Sequence, residues 1–467
     1  MNPKFEKIHF IGIGGIGMCG LAELLHSQGY KVSGSDLNAG KNFERLTRLG
    51  IHTHIGHDSK HLGDAQMVVL SSAISDDNPE IREARSRNIP IVLRAQMLAE
   101  VMRQKNGIAV AGSHGKTTTS SLIAHTLHSA GLDPTAIIGG RVLINEGEAS
   151  GTRFGQSDLI VAEADESDGS FLYLAPVMTV ITNIDHEHLD HYGDLQTLKN
   201  AFIKFANDIP FWGLSVVCVE SPEIKSILPQ LTGRVTTYGL SPQAEWVASH
   251  IRGEGEGTRF EVTRAGQRMG EIVIPLPGEH NALNALACLA IADEQGVSFS
   301  EAAKALEGFR GVERRFQQIG QSGGIRIIDD YAHHPTELRA TLSAARSIHE
   351  GRIVAVFQPH RYTRTRDCLM EFAQAFEDCD LIYILDVYSA GEEPIPGISG
   401  SALRDSIAAS GHKNARFIAS RKELLPALTG ELNSGDLFLT LGAGDIVRLG
   451  PELMASLQTH DPGASHD

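Results

Sequence analysis

Ile108-Ala-Val-Ala-Gly-Ser-His-Gly-Lys-Thr-Thr-Thr119 decides how the chain around it folds. Ile108 to Ala111 is an apolar run of strand length. Gly112 and Gly115 break it, and Lys116 and its threonines open a helical stretch reaching about Ala130. Glycines let backbone N–H groups turn toward a bound phosphate, and a helix N-terminus adds positive potential there. Lys116 is placed to reach β- and γ-phosphates, and the Thr117 hydroxyl to ligate Mg²⁺. Val110 stands where the strict pattern has its first glycine, so the alternative is a glycine-rich turn with a chance lysine. Read as a phosphate loop, the segment predicts a nucleoside triphosphate site with chemistry at the γ-phosphate.

On either side, strand and helix signals alternate. Upstream, Ile8 to Ile13, Lys31 to Ser35, Met67 to Ser71 and Ile89 to Leu93 read as strands, and Met18 to Gln28 as a helix stopped by Gly29. Downstream, strand signals fall at Asp158 to Ala162 and Met178 to Thr182, then at Ile325 to Ile328, Ile353 to Phe357, Leu381 to Leu385 and Leu437 to Leu441. Such alternation predicts parallel sheets with helical crossovers. At roughly 150 residues per domain, 467 residues suggest about three domains. The polar stretch ending at Gly107 and the segment Leu306 to Gly311 mark the boundaries: 1–105, 106–310 and 311–467. The fold class expected is α/β, with a Rossmann-like parallel sheet, a central phosphate-loop ATPase-type domain and a C-terminal Rossmann-like domain. The tail His460 to Asp467 is expected to fray.

Composition narrows the partners. A net charge of -16 repels phosphate backbones and anionic lipids, which argues against nucleic acid and membrane surfaces. An anionic substrate must then be caught by local positive charge. No apolar run reaches the ~18 residues needed to span a bilayer, and the start carries no charged-then-apolar leader. Five scattered cysteines without a Cys-x-x-Cys pair read as reduced thiols, mostly core filler, in a cytoplasmic protein.

Other segments carry chemistry with open alternatives. Gly12-Ile-Gly-Gly-Ile-Gly17 follows a strand and matches G-x-G-x-x-G, with Asp36 at the next strand end. That is a dinucleotide fingerprint, yet any nucleotide diphosphate would satisfy the same glycines. Val161-Ala-Glu-Ala-Asp-Glu-Ser-Asp168 puts Glu163 at a strand end, where a Mg²⁺ ligand is wanted opposite the phosphate loop; the alternative is a solvated acidic turn. Asn183 to Tyr192 holds His186, His188 and His191 among three acids, which suggests metal or proton chemistry but fits no standard zinc spacing. Gln358-Pro-His-Arg-Tyr-Thr-Arg-Thr-Arg-Asp367 gathers arginines in an acidic protein. Arg361 and Arg364 could converge on one carboxylate, or simply begin a solvated helix.

Taken in order, these segments resemble the Mur ligase family over nearly the whole chain. The set is completed by Ser33-Gly-Ser-Asp36, Ser71 to Pro79, Gly278-Glu-His-Asn-Ala-Leu-Asn284, Asp329-Asp-Tyr-Ala-His-His-Pro335 and Gly391-Glu-Glu-Pro-Ile-Pro-Gly397. The resemblance implies an ATP-dependent amide ligase of peptidoglycan precursor synthesis. It would join L-alanine to the lactyl carboxylate of UDP-N-acetylmuramate through an acyl phosphate, as a monomer or weak homodimer. The alternative is a recycling ligase that attaches a tripeptide to the same sugar nucleotide. By matching position, Gly14, Gly15, Ile16 and Gly17 would cradle the UDP diphosphate, with Asp36, His57 and Ser71 at the uridine end. Gly112, Ser113, His114, Gly115, Lys116, Thr117 and Thr118 would hold ATP. Thr117 and Glu163 would bind one Mg²⁺ and His188 a second, with Mn²⁺ as a substitute. His280, Asn281 and Asn284 would line the nucleotide site, with Arg315 near the phosphates and Asp330 near the ribose. Tyr331, His333, Arg361 and Arg364 would surround the amino acid, and Lys116, Glu163, His188, Arg315 and His333 are the catalytic candidates. Ser113, Ala332 and Cys19 depart from the family pattern by one small residue for another. A plain phosphotransferase and an NAD-dependent oxidoreductase are the rival readings of single motifs.

Overall fold

The structure is a computed structural model and describes residues 5–71, 73–145 and 148–460. The tail expected to fray beyond His460 lies outside the described residues, as does the side chain of Ile16. The fold is α/β, built on three parallel-rich sheets.

The first sheet has five parallel strands ordered His52–Ile55, Lys31–Asp36, Lys7–Ile11, Met67–Leu70 and Ile91–Leu93. The strand His52–Ile55, three of its four residues polar, carried no apolar signal and was not anticipated. The order reverses beside Lys7–Ile11, which therefore ends at the topological switch point where open parallel sheets bind ligands. That strand stops two residues earlier than its apolar run, because the chain turns at Gly12, where the N–H groups of Gly12 and Ile13 bond the Ser35 carbonyl.

The second sheet has ten strands. Asn106–Ala111 lies inside it, flanked in parallel by Met178–Ile181 and Leu159–Glu163. Ile108 to Ala111 are fully buried, as expected for a parallel strand covered on both faces, where apolar residues run on instead of alternating. At one edge Thr135–Asn145 pairs antiparallel with Glu148–Arg153, and at the other lie Trp246–Glu254, Gly257–Arg264 and Gln267–Ile274. None of these outer strands was among the strand signals above.

The third sheet has six strands, ordered Gln317–Ser322, Ile325–Asp330, Leu437–Leu441, Ile353–Phe357, Leu381–Ile384 and Ala415–Phe417. Only the first pairing is antiparallel. Its two faces carry separate apolar clusters, one around Phe357, Phe372 and Phe376, the other around Tyr383, Phe438 and Leu424.

By compactness the chain divides into two units. One comprises Met1–Ala248, Val262–Met269 and Leu283–Leu306, the other Ser249–Glu261, Gly270–Ala282 and Glu307–Asp467. Among the described residues no helix is long and apolar enough to cross a membrane. Cys19, Cys218, Cys288 and Cys379 are buried and none of the five cysteines is in a disulfide. Burial pushes the Cys288 and Cys379 thiols up to about 12, which keeps them protonated and inert, as core filler should be.

Candidate functional site

The loop between Asn106–Ala111 and the helix Lys116–Ser129 is held from several sides. Gly112 has φ +134° and Gly115, at the helix N-cap, φ +82°. A Cβ on Gly112 would strike the Thr182 hydroxyl and stand 3.0 Å from the Asn183 backbone, and one on Gly115 would lie 2.9 Å from Asn284 Oδ1. Glycine is thus required twice, for conformation and for close approach. The strand end at Thr182 supplies the braces. The Thr182 hydroxyl donates to the His114 carbonyl at 2.5 Å, Asn183 Oδ1 accepts from the His114 N–H at 2.8 Å, and the Asp185 N–H donates to Ser113 Oγ at 2.9 Å. His114 Nε2 pairs with Asp185 Oδ2 at 2.9 Å, and Asn284 Oδ1 accepts from the Thr119 hydroxyl at 3.0 Å. Thr118 is buried in the first turn of the helix.

Lys116 folds back over this loop. Its Nζ donates to the carbonyls of Gly112 at 2.6 Å and Ser113 at 3.1 Å, and to Glu166 Oε1 at 2.9 Å. Burial opposes the charge on Lys116, but the carboxylates of Glu166, Asp165 and Glu163 outweigh it and hold its pKa above the ordinary lysine value. Burial dominates at Glu166 and raises its pKa against the pull of Lys116. The second oxygen of Glu166, Oε2, is buried without a hydrogen-bond partner. His188 Nε2 stands 3.7 Å from Glu166 Oε1, on a residue in the left-handed region at φ 59°.

Thr117 and Glu163 meet where the helix Lys116–Ser129 starts beside the strand Leu159–Glu163. The Thr117 hydroxyl donates to Glu163 Oε1 at 3.1 Å, while Glu163 Oε2 accepts from the Gly139 N–H at 2.8 Å. A strand-end carboxylate beside a helix-start hydroxyl is a hard-oxygen donor pair of the kind Mg²⁺ takes, and the unpartnered oxygen of Glu166 adds a further acceptor nearby. As a nitrogen ligand, the imidazole of His188 would suit Mn²⁺ better than Mg²⁺.

The first glycine segment forms a second, separate cradle. The Gly14 N–H donates to Asp36 Oδ2 at 2.9 Å and Asn42 Nδ2 to the Gly14 carbonyl at 3.0 Å. Gly12 packs on Ser71, whose N–H reaches the Ile11 carbonyl at 3.3 Å. Gly15 caps the helix Ile16–Ser27, and Gly17 sits against the Arg94 guanidinium. His57 approaches the same strand end, its Nδ1 3.0 Å from Ser35 Oγ, next to Asp36. Gly14, Gly15, Gly17, Asp36, His57 and Ser71 therefore gather at the C-terminal edge of one sheet.

In the second unit, the tight turn before Gln317–Ser322 puts Arg314 and Phe316 at positive φ. Arg314 Nε reaches Asp329 Oδ2 at 3.2 Å, and the guanidinium groups of Arg314 and Arg315 lie 4.8 and 5.3 Å from the Tyr331 ring centre. Arg315 Nη1 stands 3.8 Å from Glu337 Oε1. Asp330 accepts from the N–H groups of Phe316 and Ala332, each at 2.7 Å. Burial raises its pKa to about 6 despite Arg315 and those two donors. Burial, helped by Arg315, lowers His280 to about 4. Asn281 is turned to the Pro277 carbonyl at 2.8 Å. His333 Nδ1 donates to the Tyr331 carbonyl at 3.0 Å, and its ring lies 6.1 Å from that of His360. Burial lowers His360 to about 4, with His333, Arg364 and Arg361 adding to it. Arg361, at φ 70°, caps the short helix Tyr362–Asp367 with its side chain exposed, and Arg364 follows one turn on. The ring contacts thus bring the arginine segment and His333 into one neighbourhood.

Sequence reasoning passed over four contributors. Glu166 lay within a segment already singled out, yet nothing marked it above its neighbours. Thr182, Asn183 and Asp185 brace a loop about 70 residues away in sequence, and only the parallel pairing of Asn106–Ala111 with Met178–Ile181 unites them.

A phosphate loop on a ten-stranded sheet, with α/β sheets before and after it, defines a protein of the phosphate-loop α/β class. Family models match along the chain: the Mur ligase family catalytic domain over residues 7–106, the Mur ligase middle domain over 110–292, and the Mur ligase glutamate ligase domain over 314–444. The chain belongs to the Mur ligase family. A UDP-N-acetylmuramate–L-alanine ligase of Myxococcus xanthus is 49% identical over 97% of this chain and 95% of its own. The crystal structure of a UDP-N-acetylmuramate–alanine ligase from Thermotoga maritima superposes with a TM-score of 0.82 at 32% identity, covering 97% of this chain and 100% of that one. A murein peptide ligase of Psychrobacter arcticus shares the fold, with a TM-score of 0.70 at 24% identity over 97% of this chain and 98% of its own.

Proposed function

We propose that this chain joins L-alanine to UDP-N-acetylmuramate at the expense of ATP, releasing ADP and phosphate. The observation that carries the reading is the near-full-length similarity to a ligase of that name, together with a phosphate loop whose lysine, threonine and strand-end glutamate are assembled.

A carboxylate is a poor electrophile. Transfer of the γ-phosphoryl group to the lactyl carboxylate gives an acyl phosphate with a good leaving group. The L-alanine amine then attacks the acyl carbon, and phosphate departs from the tetrahedral intermediate. Two anions must meet in the first step, so positive charge is needed between them. Lys116 supplies it from the loop, and Arg315 is the candidate in the second unit. Mg²⁺, held by Thr117 and Glu163 with a second ion at His188, would neutralise phosphate charge when bound. Gly112, Ser113, His114, Gly115 and Thr118 offer the loop backbone to the phosphates, and Asn284 holds that loop in shape. His280, Asn281 and Asp330 serve the nucleoside end of ATP, Asp330 toward the ribose. Tyr331, His333, Arg361 and Arg364 take the amino acid. The segment Gly14 to Gly17 cradles the UDP diphosphate, with Asp36, His57 and Ser71 at the uridine end. The three domains of this reading span 1–105, 106–310 and 311–467. The protein acts in the cytoplasm as a monomer or weak homodimer, without nucleic acid or membrane.

The test is ADP release with UDP-N-acetylmuramate, with and without L-alanine. Release that depends on both supports the reading. Turnover with a tripeptide but not with L-alanine would replace it by the recycling activity. Release on a hydroxyl acceptor without any amine would make the chain a phosphotransferase.

A further inference from the structure

Glu80 is a fully buried carboxylate in the first turn of the helix Pro79–Ser86, and histidines surround it. Its Oε2 accepts from the Ser35 hydroxyl at 2.6 Å and lies 3.4 Å from His57 Nδ1 and 3.7 Å from His9 Nε2. Its Oε1 lies 3.1 Å from His61 Nδ1 and 3.4 Å from the Asp58 N–H. Asn78 caps this helix, with its Oδ1 on the Glu80 N–H at 2.8 Å, so the carboxylate is fixed from its own backbone. Ser35 and His9 are fully buried as well. A buried charge this well surrounded is costly to assemble and is not needed to complete a parallel sheet that already has an apolar cluster at Ile11, Leu62, Val68, Ile81 and Ala84.

The network has a direction. Hydrogen bonds and the nearby histidines hold Glu80 down to about 2 against its burial, so it is a carboxylate and accepts only. Ser35 has one hydroxyl hydrogen, and it goes to Glu80. Ser35 Oγ can then only accept from His57 Nδ1, 3.0 Å away. The other neighbour of that nitrogen is the carboxylate itself. Both partners are acceptors, so Nδ1 carries a proton and the His57 ring is pinned by it, the same arrangement by which carboxylates orient histidines elsewhere.

We propose that Glu80 is a positioning residue for the nucleotide sugar: through Ser35 it holds the His57 imidazole with Nδ1 donating inward, leaving Nε2 as the nitrogen presented to the uridine end. The inference rests on the placement of His57 at that end made above. It adds to it the group that sets the ring's orientation and protonation pattern. Ser35 precedes Asp36, whose carboxylate holds the Gly14 N–H, so the same strand end ties the diphosphate loop to the histidine.

The experiment compares His57→Ala, Ser35→Ala and Glu80→Gln for the KM of all three substrates, and records the ¹⁵N resonances of His57 in the selectively labelled wild-type protein. Each variant is expected to raise the UDP-N-acetylmuramate KM roughly ten- to hundredfold, as expected for loss of a hydrogen bond to a charged group. The kcat and the KM values for ATP and L-alanine should stay within about twofold. Ser35→Ala combined with Glu80→Gln should be no worse than either alone, because both break one chain. His57 Nδ1 should resonate as a protonated nitrogen in the wild type and lose that signature in Ser35→Ala. If His57→Ala leaves the sugar-nucleotide KM unchanged, the uridine-end assignment fails and the inference with it. If His57→Ala raises it while Ser35→Ala and Glu80→Gln do not, the assignment stands and the positioning role is overturned. An unprotonated Nδ1 in the wild type overturns it as well, and this readout survives even if Glu80→Gln fails to fold.

Discussion

Lys116→Ala separates phosphate chemistry from folding only if both are measured. The Lys116 ammonium spends its three donors on Gly112 O, Ser113 O and Glu166 Oε1, at 2.6, 3.1 and 2.9 Å. In the reaction those donors go to the phosphates, and losing one fixed cation from a developing anion costs about 4 kcal/mol, or on the order of 10³-fold in turnover. The same substitution strands Glu166, whose side chain is 1% exposed, and removing one partner of a buried pair costs about 3–5 kcal/mol of stability. A loss of activity in Lys116→Ala alone would thus be ambiguous. Adding Glu166→Gln removes the stranded charge: the double variant should regain most of the lost melting temperature but none of the lost turnover. The assays are thermal unfolding and coupled ADP release with all three substrates saturating. Turnover within a few-fold of wild type in a folded Lys116→Ala protein would refute the phosphate-loop assignment. Recovery of turnover in the double variant would show that Lys116 serves only to neutralise Glu166.

Glu163→Gln should raise the Mg²⁺ concentration needed for half-maximal rate, EDTA should abolish activity, and His188→Ala should shift the demand for Mn²⁺; an unchanged metal titration in either variant makes that residue structural. Arg364→Ala and Arg361→Ala should each cost about 30- to 1000-fold in apparent L-alanine affinity or rate, with the sugar-nucleotide and ATP KM values little changed and lysine rescuing only in part. L-alanine KM and rate near wild type in both would leave the segment a solvated helix start. Asp330 titrates near 6 in the fold against about 3.9 unfolded, so the folded state binds the extra proton between those values and stability falls as pH rises through that window. Denaturant titrations from pH 4 to 7 should show Asp330→Asn flattening that fall by on the order of 3 kcal/mol, and an identical pH dependence in the variant would contradict the burial of an ionisable Asp330.

The sequence by itself determined the class of fold and the place of the glycine-rich loop between a buried strand and a helix. Parallel strands buried on both faces read as unbroken apolar runs, so Ile108 to Ala111 and Ile353 to Phe357 were visible without coordinates, and a glycine–lysine–threonine turn between strand and helix has few other uses. Polar edge strands such as His52–Ile55 and Gln317–Ser322 were not visible, since most of their side chains are polar and their pairing comes from neighbours. Tertiary structure alone decided which distant groups share a site. Asn284 reaches the phosphate-loop helix across 165 residues of chain, and Glu80 reaches Ser35 across 45. It also decided charge. Glu166 and Glu80 are the same residue type in sequence, but burial raises the pKa of Glu166 against the pull of Lys116, while hydrogen bonds and histidines lower that of Glu80 against its burial. Desolvation and Coulomb terms depend on distances in space, and nothing local in the chain encodes them.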